Sequence, residues 1–236
     1  MTVADLPPIP VPRLLVWRHG RTEWNAVGRF QGQHDPPLDE RGRLQAERTA
    51  PHLVSCGLRP ESTVVVSSDL VRALQTAAPL GALLGVPVQT DPRLRETGLG
   101  CWEGLTREEV AERHPEQYAD WMGGLPVRGR GGEETDAVVA RMTDAMADLP
   151  PAETAVVVTH GGAGLRLLEA LLGLGSEQRR VLGPLGNCAW SELTFQSTRW
   201  RLMRHNVSVP QPGRPPVPVD AAPAGRRSGA DADAFA

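Results

Sequence analysis

Cysteine is scarce in this sequence. Cys56, Cys101 and Cys188 are the only three among 236 residues, an odd number at spacings that match neither a zinc site nor a disulfide framework. They read as reduced packing residues, which sets the expectation of a cytoplasmic protein. Long apolar runs are also missing. No uncharged stretch approaches the ~18 residues that a membrane span needs, and the opening MTVADLPPIPVPR has no basic region ahead of an apolar one, so no signal peptide is expected. An excess of charge is lacking as well: 25 Lys and Arg stand against 28 Asp and Glu, a net charge of -3. That balance gives no reason to expect nucleic acid or an anionic membrane surface as a partner. Any affinity for anions must come from a local cluster of cations.

What is present suits a soluble globular chain, with 40% hydrophobic and 22% charged residues and enough length for one sizeable α/β domain. Residues 1–12 are proline-rich, and from about Pro210 the chain is Pro, Ala, Gly and Asp with almost no large apolar residue. Neither composition can offset its ordering entropy, so 1–12 and 210–236 are expected to be disordered, leaving a folded domain over 13–209. Three short aliphatic runs each end in reactive residues. Leu14-Leu15-Val16-Trp17 precedes Arg18-His19-Gly20, Val64-Val65-Val66 precedes Ser67-Ser68-Asp69, and Ala155-Val156-Val157-Val158 precedes Thr159-His160-Gly161. Such runs suit strands of a parallel sheet buried on both faces.

Helical patterns cover roughly 40–55, 70–84, 106–121, 134–148 and 162–173. The alternation predicts an α/β fold of three layers, with a mostly parallel sheet flanked by helices. Asp69 is placed to N-cap the second helix, and Thr106 with Glu109 spells a capping box for the third. Pro51 and Pro79 interrupt helical patterns and are expected to kink or end them. Residues 188–195 and 199–205 alternate like antiparallel strands.

Ligands of open α/β sheets bind beyond the carboxyl ends of the strands, where the polar residues of all three runs fall. Arg18-His19-Gly20 sets an imidazole nucleophile beside a guanidinium, and the glycine permits close approach of a ligand to the backbone. Arg72, one turn into the helix after the second strand, can grip phosphate oxygens bidentately. Thr159-His160-Gly161-Gly162 puts a second His at a helix start suited to anions. Phosphate-ester cleavage also needs a proton donor for the leaving oxygen and then a base for water. Glu96 is the candidate for both, with Glu103 as the fallback. Taken singly, each element fits a bland alternative equally well: a turn histidine, a solvated helix arginine, a salt-bridged loop carboxylate.

Together and in this order they resemble the histidine phosphatase superfamily, the phosphoglycerate-mutase-like fold. The resemblance rests on Arg18-His19-Gly20, Thr22, Asn25, Phe30-Gln31-Gly32, Arg72-Ala73, Glu96 and Thr159-His160-Gly161-Gly162, and it runs from about Leu14 to Asn206. It implies that His19 becomes phosphorylated and that Arg18, Arg72 and His160 bind the phosphoryl oxygens. Asn25, Gln31, Gly32 and Gly161 would line the same pocket, with Glu96 as acid/base. Within the superfamily the sequence is most similar to small-molecule phosphatases, the glucosyl-3-phosphoglycerate phosphatases in particular, through Arg29-Phe30-Gln31-Gly32-Gln33, 93–97, 182–190 and 199–202.

The expected partner is therefore a small anionic phosphate ester. A second copy of the chain, as a homodimer, is the one macromolecular partner left open. No Walker motif, nucleophile-elbow serine or Asp/His cluster calls for a metal or other cofactor. Phosphoglycerate mutase is the alternative activity, set aside because the 104–132 segment is short. A non-catalytic binding module is disfavoured because His19, Arg18, Arg72, Glu96 and His160 are all present. Arg128 and Arg130, in the glycine-rich loop near 121–132, are the candidates to meet a substrate carboxylate.

Overall fold

A computed structural model of the chain describes residues 6–175, Gln178 and residues 181–210. In order these form β1 (Arg13–Arg18), α1 (Glu23–Ala26), α2 (Glu40–Ser55), β2 (Thr63–Ser67), α3 (Val71–Leu84), β3 (Val88–Thr90), α4 (Arg107–Arg113), α5 (Pro115–Gly123), α6 (Thr135–Ala147), β4 (Thr154–Thr159), α7 (Gly161–Leu171), β5 (Trp190–Gln196) and β6 (Arg199–Val207). The strands make one six-stranded sheet in the order β3-β2-β4-β1-β5-β6. Only β5 runs against the rest, so the mostly parallel three-layer reading holds.

The aliphatic runs explain the layering. Successive strand residues point to opposite faces, so each run feeds two cores. Leu14, Val16, Ala155 and Val157 pack against Met142, Met146, Leu167 and Leu171 of α6 and α7. Leu15, Trp17, Val65, Val156 and Val158 pack against Ala46, Leu53, Ala73 and Leu80 of α2 and α3. Each Val or Leu so buried contributes roughly 1.5–3 kcal/mol. A third, smaller cluster of Phe30, Trp102 and Val110, joined by Tyr118 and Trp121, lies around α4 and α5.

Several expectations change. The helix predicted over 106–121 is two helices, broken at His114 (φ -136°, ψ 56°) ahead of Pro115, because a residue before proline is driven out of the helical region. Pro51 and Pro79 do not end their helices. The carbonyls they leave without a donor, those of Glu47 and Gln75, belong to an exposed and a half-buried residue. Asp69 does not cap α3. Its carboxylate pairs bidentately with Arg95 at 2.7 and 2.6 Å, and Asp35 reaches across to accept from the Val71 N–H at 2.7 Å instead. The Thr106/Glu109 capping box forms.

Of the proline-rich N-terminus, residues 6–12 lie on the core rather than free of it, with Val11 buried and Leu6 and Ile9 packed against the α6/α7 side. The expectations for 1–5 and 211–236 fall outside the described residues. Among the described residues, no helix is long and apolar enough to cross a membrane.

Strand register positions the site. Arg18 pairs with Thr159 and Ser67 with Val158, so β1, β4 and β2 end at one level. The next residue of each strand still holds the ladder: His19 N–H donates to the Thr159 carbonyl, and Ser68 N–H to that of Val158, both at 2.9 Å. His19, His160 and Ser68 are thereby brought side by side.

Candidate active site

His19 is almost wholly buried, at 2% exposure. Its Nδ1 lies 2.7 Å from the Gly20 carbonyl oxygen. A carbonyl only accepts, so Nδ1 carries the proton and Nε2 keeps its lone pair. Burial, then the Arg72 and Arg18 guanidinium groups, hold its pKa well below the ordinary 6.5, so the ring is neutral at physiological pH. The two histidine rings stand 5.1 Å apart. His160 Nδ1 accepts from Arg72 Nε at 3.2 Å, which puts its proton on Nε2, 2.9 Å from the Ser68 hydroxyl. Burial, Arg72, His19 and Arg18 hold this imidazole neutral as well.

Both arginines are fully buried. Arg72 is fixed by His160 Nδ1, by the Gly32 carbonyl at 2.8 Å and by the His34 carbonyl. Burial lowers its pKa to about 10, which leaves it charged at neutral pH. Arg18 donates to the Leu185 carbonyl at 2.6 Å and lies on the first residue of α7. A side chain on Gly161 would come within 3.2 Å of the Arg18 Cζ, so the glycine is what admits the guanidinium.

Glu96 comes from the irregular segment after β3. Its Oε1 accepts from the Thr97 and Ala163 amides at 2.7 and 2.8 Å, and its Oε2 from Gly162 at 2.9 Å. The carboxylate thus sits on the N-terminus of α7, where unpaired N–H groups and the helix dipole favour an anion. Glu103 serves elsewhere: its Oε1 accepts from the Leu99 and Gln33 amides.

These groups open on a cavity of about 870 Å³. His19, Gln31, Gly32, Arg72, Glu96 and Gly161 are on its wall, and Glu103 is not. Arg18, Asn25 and His160 are not on the wall either; all three are fully buried. The Asn25 Oδ1 serves protein donors, the Thr22 amide at 3.1 Å and Asn187 Nδ2 at 3.2 Å. Farther out the wall is aromatic, with Phe30, Trp102, Tyr118 and Trp121. Arg130 lies over Trp102 and Arg107 over Trp121, at 5.7 and 5.8 Å. Arg130 faces the cavity and Arg128 does not. Among the described residues no three His, Cys, Asp or Glu side chains are grouped to hold a metal ion.

Sequence reasoning missed Ser68 as the partner of His160, and Asn187, which bridges the His19 carbonyl and Asn25. It also missed Gln33 and Arg141, which donate to the Glu96 carbonyl, and Glu133, which accepts from the Gly98 amide. Gln33, Asn187 and Ser68 lie in stretches already singled out, but their partners, like those of Glu133 and Arg141, are recognised only by what lies across the fold. The arrangement offers a neutral buried imidazole, a charged guanidinium and a carboxylate on one wall, which are the parts needed to accept and release a phosphoryl group.

Comparison with known proteins agrees. The profile of the histidine phosphatase superfamily (branch 1) matches residues 14–208. A glucosyl-3-phosphoglycerate phosphatase of Mycolicibacterium vanbaalenii is 38% identical over 220 residues, covering 84% of this chain and 96% of that one. A probable phosphoglycerate mutase of Cronobacter sakazakii is 36% identical over 188 residues, with 78% and 85% covered. The solved structure of mycobacterial glucosyl-3-phosphoglycerate phosphatase with VO3 superposes with a TM-score of 0.75 at 38% identity, covering 84% of this chain and all of that one.

Proposed function

Since the chain belongs to the histidine phosphatase superfamily and is a phosphatase, we propose that it hydrolyses a small anionic phosphate monoester through a phosphohistidine on His19. The observation that carries this reading is the Nδ1 bond to the Gly20 carbonyl, which leaves Nε2 as the one ring nitrogen with a lone pair, in a residue on the cavity wall. In the first step Nε2 bonds to phosphorus as the ester P–O bond breaks, and Glu96, which takes up a proton as the anionic phosphate of the substrate enters beside it, gives that proton to the departing oxygen. In the second step Glu96, now a carboxylate, takes a proton from water as that water bonds to phosphorus. The N–P bond then breaks and inorganic phosphate leaves. Arg72, oriented by its bond to His160 Nδ1, stabilises the charge on the equatorial oxygens in both transition states, and Arg18 adds positive charge near His19.

The proposed substrate is glucosyl-3-phosphoglycerate. The relatives named for that activity support it, as do Arg130 on the wall to meet a carboxylate and the aromatic lining residues Tyr118 and Trp121 to pack against a sugar ring. A cytoplasmic location fits the three free cysteines. Acid-quenched wild-type enzyme given radiolabelled substrate is expected to carry acid-labile, base-stable label, and a folded His19→Ala variant to carry none and not turn over. Activity in that variant overturns the nucleophile. Rapid isomerisation of 3-phosphoglycerate with a bisphosphoglycerate primer, without phosphate release, overturns hydrolysis in favour of a mutase.

A further inference from the structure

The segment that delivers Glu96 has little secondary structure of its own to hold it, yet each of its four consecutive carbonyls has a side-chain donor. Thr159 Oγ1 donates to the Leu94 carbonyl at 2.8 Å. The other three are met by one residue, Arg141 of α6. Its Nη1 donates to the carbonyls of Arg93 at 2.6 Å and Arg95 at 2.8 Å. Its Nη2 donates to the Glu96 carbonyl at 3.1 Å and to Glu133 Oε2 at 2.9 Å, and its Nε to Glu133 Oε1 at 2.9 Å. A guanidinium has five N–H donors in a fixed fork, and here five acceptors take them. Arg141 therefore has nothing left for substrate, and it is not on the cavity wall.

Glu133 completes the frame. Besides holding Arg141, its Oε2 accepts from the Gly98 amide at 2.7 Å and from Gln33 Nε2 at 3.4 Å, and the same Gln33 nitrogen reaches the Glu96 carbonyl at 3.3 Å. Burial alone would raise the Glu133 pKa, but Arg141 and the Gly98 amide outweigh it and leave the pKa low, so the pair is ionised. Its two side chains are only 18% and 26% exposed.

We infer that Arg141, locked by Glu133, is a positioning residue for the general acid: it sets the backbone of 93–96 so that the Glu96 carboxyl meets the leaving oxygen. The inference rests on the proposal that Glu96 is the acid. A lysine at 141 has three donors on a point charge and cannot span three carbonyls and a carboxylate.

The test compares kcat/KM, which reports the steps up to the phosphohistidine and not the later attack of water, for an alkyl phosphate, whose poor leaving group needs a proton, and for 4-nitrophenyl phosphate, whose leaving group departs without one. Glu96→Gln is measured first, as a control on the underlying reading. It is expected to lose on the order of 100-fold or more on the alkyl ester, the share of a general acid, and far less on the aryl ester. Arg141→Ala is expected to show the same selectivity, with roughly 100-fold lost on the alkyl ester, as for a displaced catalytic group, and less than about tenfold on the aryl ester. Added to Glu96→Gln, it is expected to cost little more on the alkyl ester. If Arg141→Ala fails to fold, Arg141→Lys is expected to give the same selectivity at smaller amplitude.

A uniform loss in Glu96→Gln removes the acid assignment and this inference with it. Selectivity in Glu96→Gln but equal losses on both esters in the Arg141 variants overturns the positioning role alone, as does full additivity in the double variant.

Discussion

Gly162→Ala separates catalysis from folding in a single methyl group. The new Cβ would lie 2.8 Å from Glu96 Oε1 and 3.4 Å from its Cδ. Nothing else closer than 3.4 Å stands in its way, so the side chain that must yield is the flexible Glu96, and it must retreat by about 0.6 Å to restore an ordinary 3.4 Å contact. The fold has no reason to suffer. Gly162 is exposed in the first turn of α7, and Ala exceeds Gly in helix propensity by up to about 1 kcal/mol. Catalysis does have a reason, since a misplacement of about 1 Å at a reacting group costs on the order of 100-fold. Scaled to ~0.6 Å, the loss is roughly ten- to twentyfold, or about 1.5 kcal/mol in transition-state binding. Activity and stability should therefore move in opposite directions. Thermal melting and kcat/KM on an alkyl phosphate check it together. Wild-type kcat/KM in the folded variant would show that the place of Glu96 on the helix terminus is unimportant. A melting temperature lowered by more than about 4 °C, about 1 kcal/mol or more for a chain of this size, would show that the methyl group meets something rigid.

Three further outcomes follow from the site. His19 must be neutral to attack, and its pKa lies well below 6.5, so kcat/KM should keep its plateau as pH falls through 6.5; an acidic limb centred at 6.5 or above would contradict the burial argument. The same sign governs stability: His19 and His160 bind no proton when folded but do so near pH 6.5 when unfolded, so folding free energy should hold above that pH and decline below it, by about 1.4 kcal/mol per pH unit for each ring, a slope that denaturant titrations should find reduced in His160→Asn. Arg130→Ala should raise KM for a carboxylate-bearing ester several-fold and leave 4-nitrophenyl phosphate nearly unchanged, whereas Arg128→Ala should do neither; equal effects of the two variants would remove Arg130 from substrate recognition.

Much of this protein follows from the order of its residues alone. An apolar run of three or four with β-branched residues, closed by a polar pair and followed by a helical pattern, dictates a buried parallel strand with its reactive residues at the carboxyl end. Three such runs dictate the sheet, its two faces and the edge where a ligand binds. Those are local effects, set by side-chain alternation and backbone preference within a few residues. The tertiary structure decided what depends on distant partners. The choice of Glu96 over Glu103 rests on the α7 amides 66 and 67 residues away. The tautomer of His160 is fixed by Arg72, 88 residues away. Asp69 abandons its cap for an arginine 26 residues on, because a charge-assisted bidentate pair is stronger than a single bond to a backbone amide. Arg141 reads as an ordinary helix arginine in sequence, and only the fold sets the five acceptors of its guanidinium around it. A hydrogen bond depends on a position to within tenths of an ångström, and for partners so far apart in the chain only the packed sheet and helices set that position.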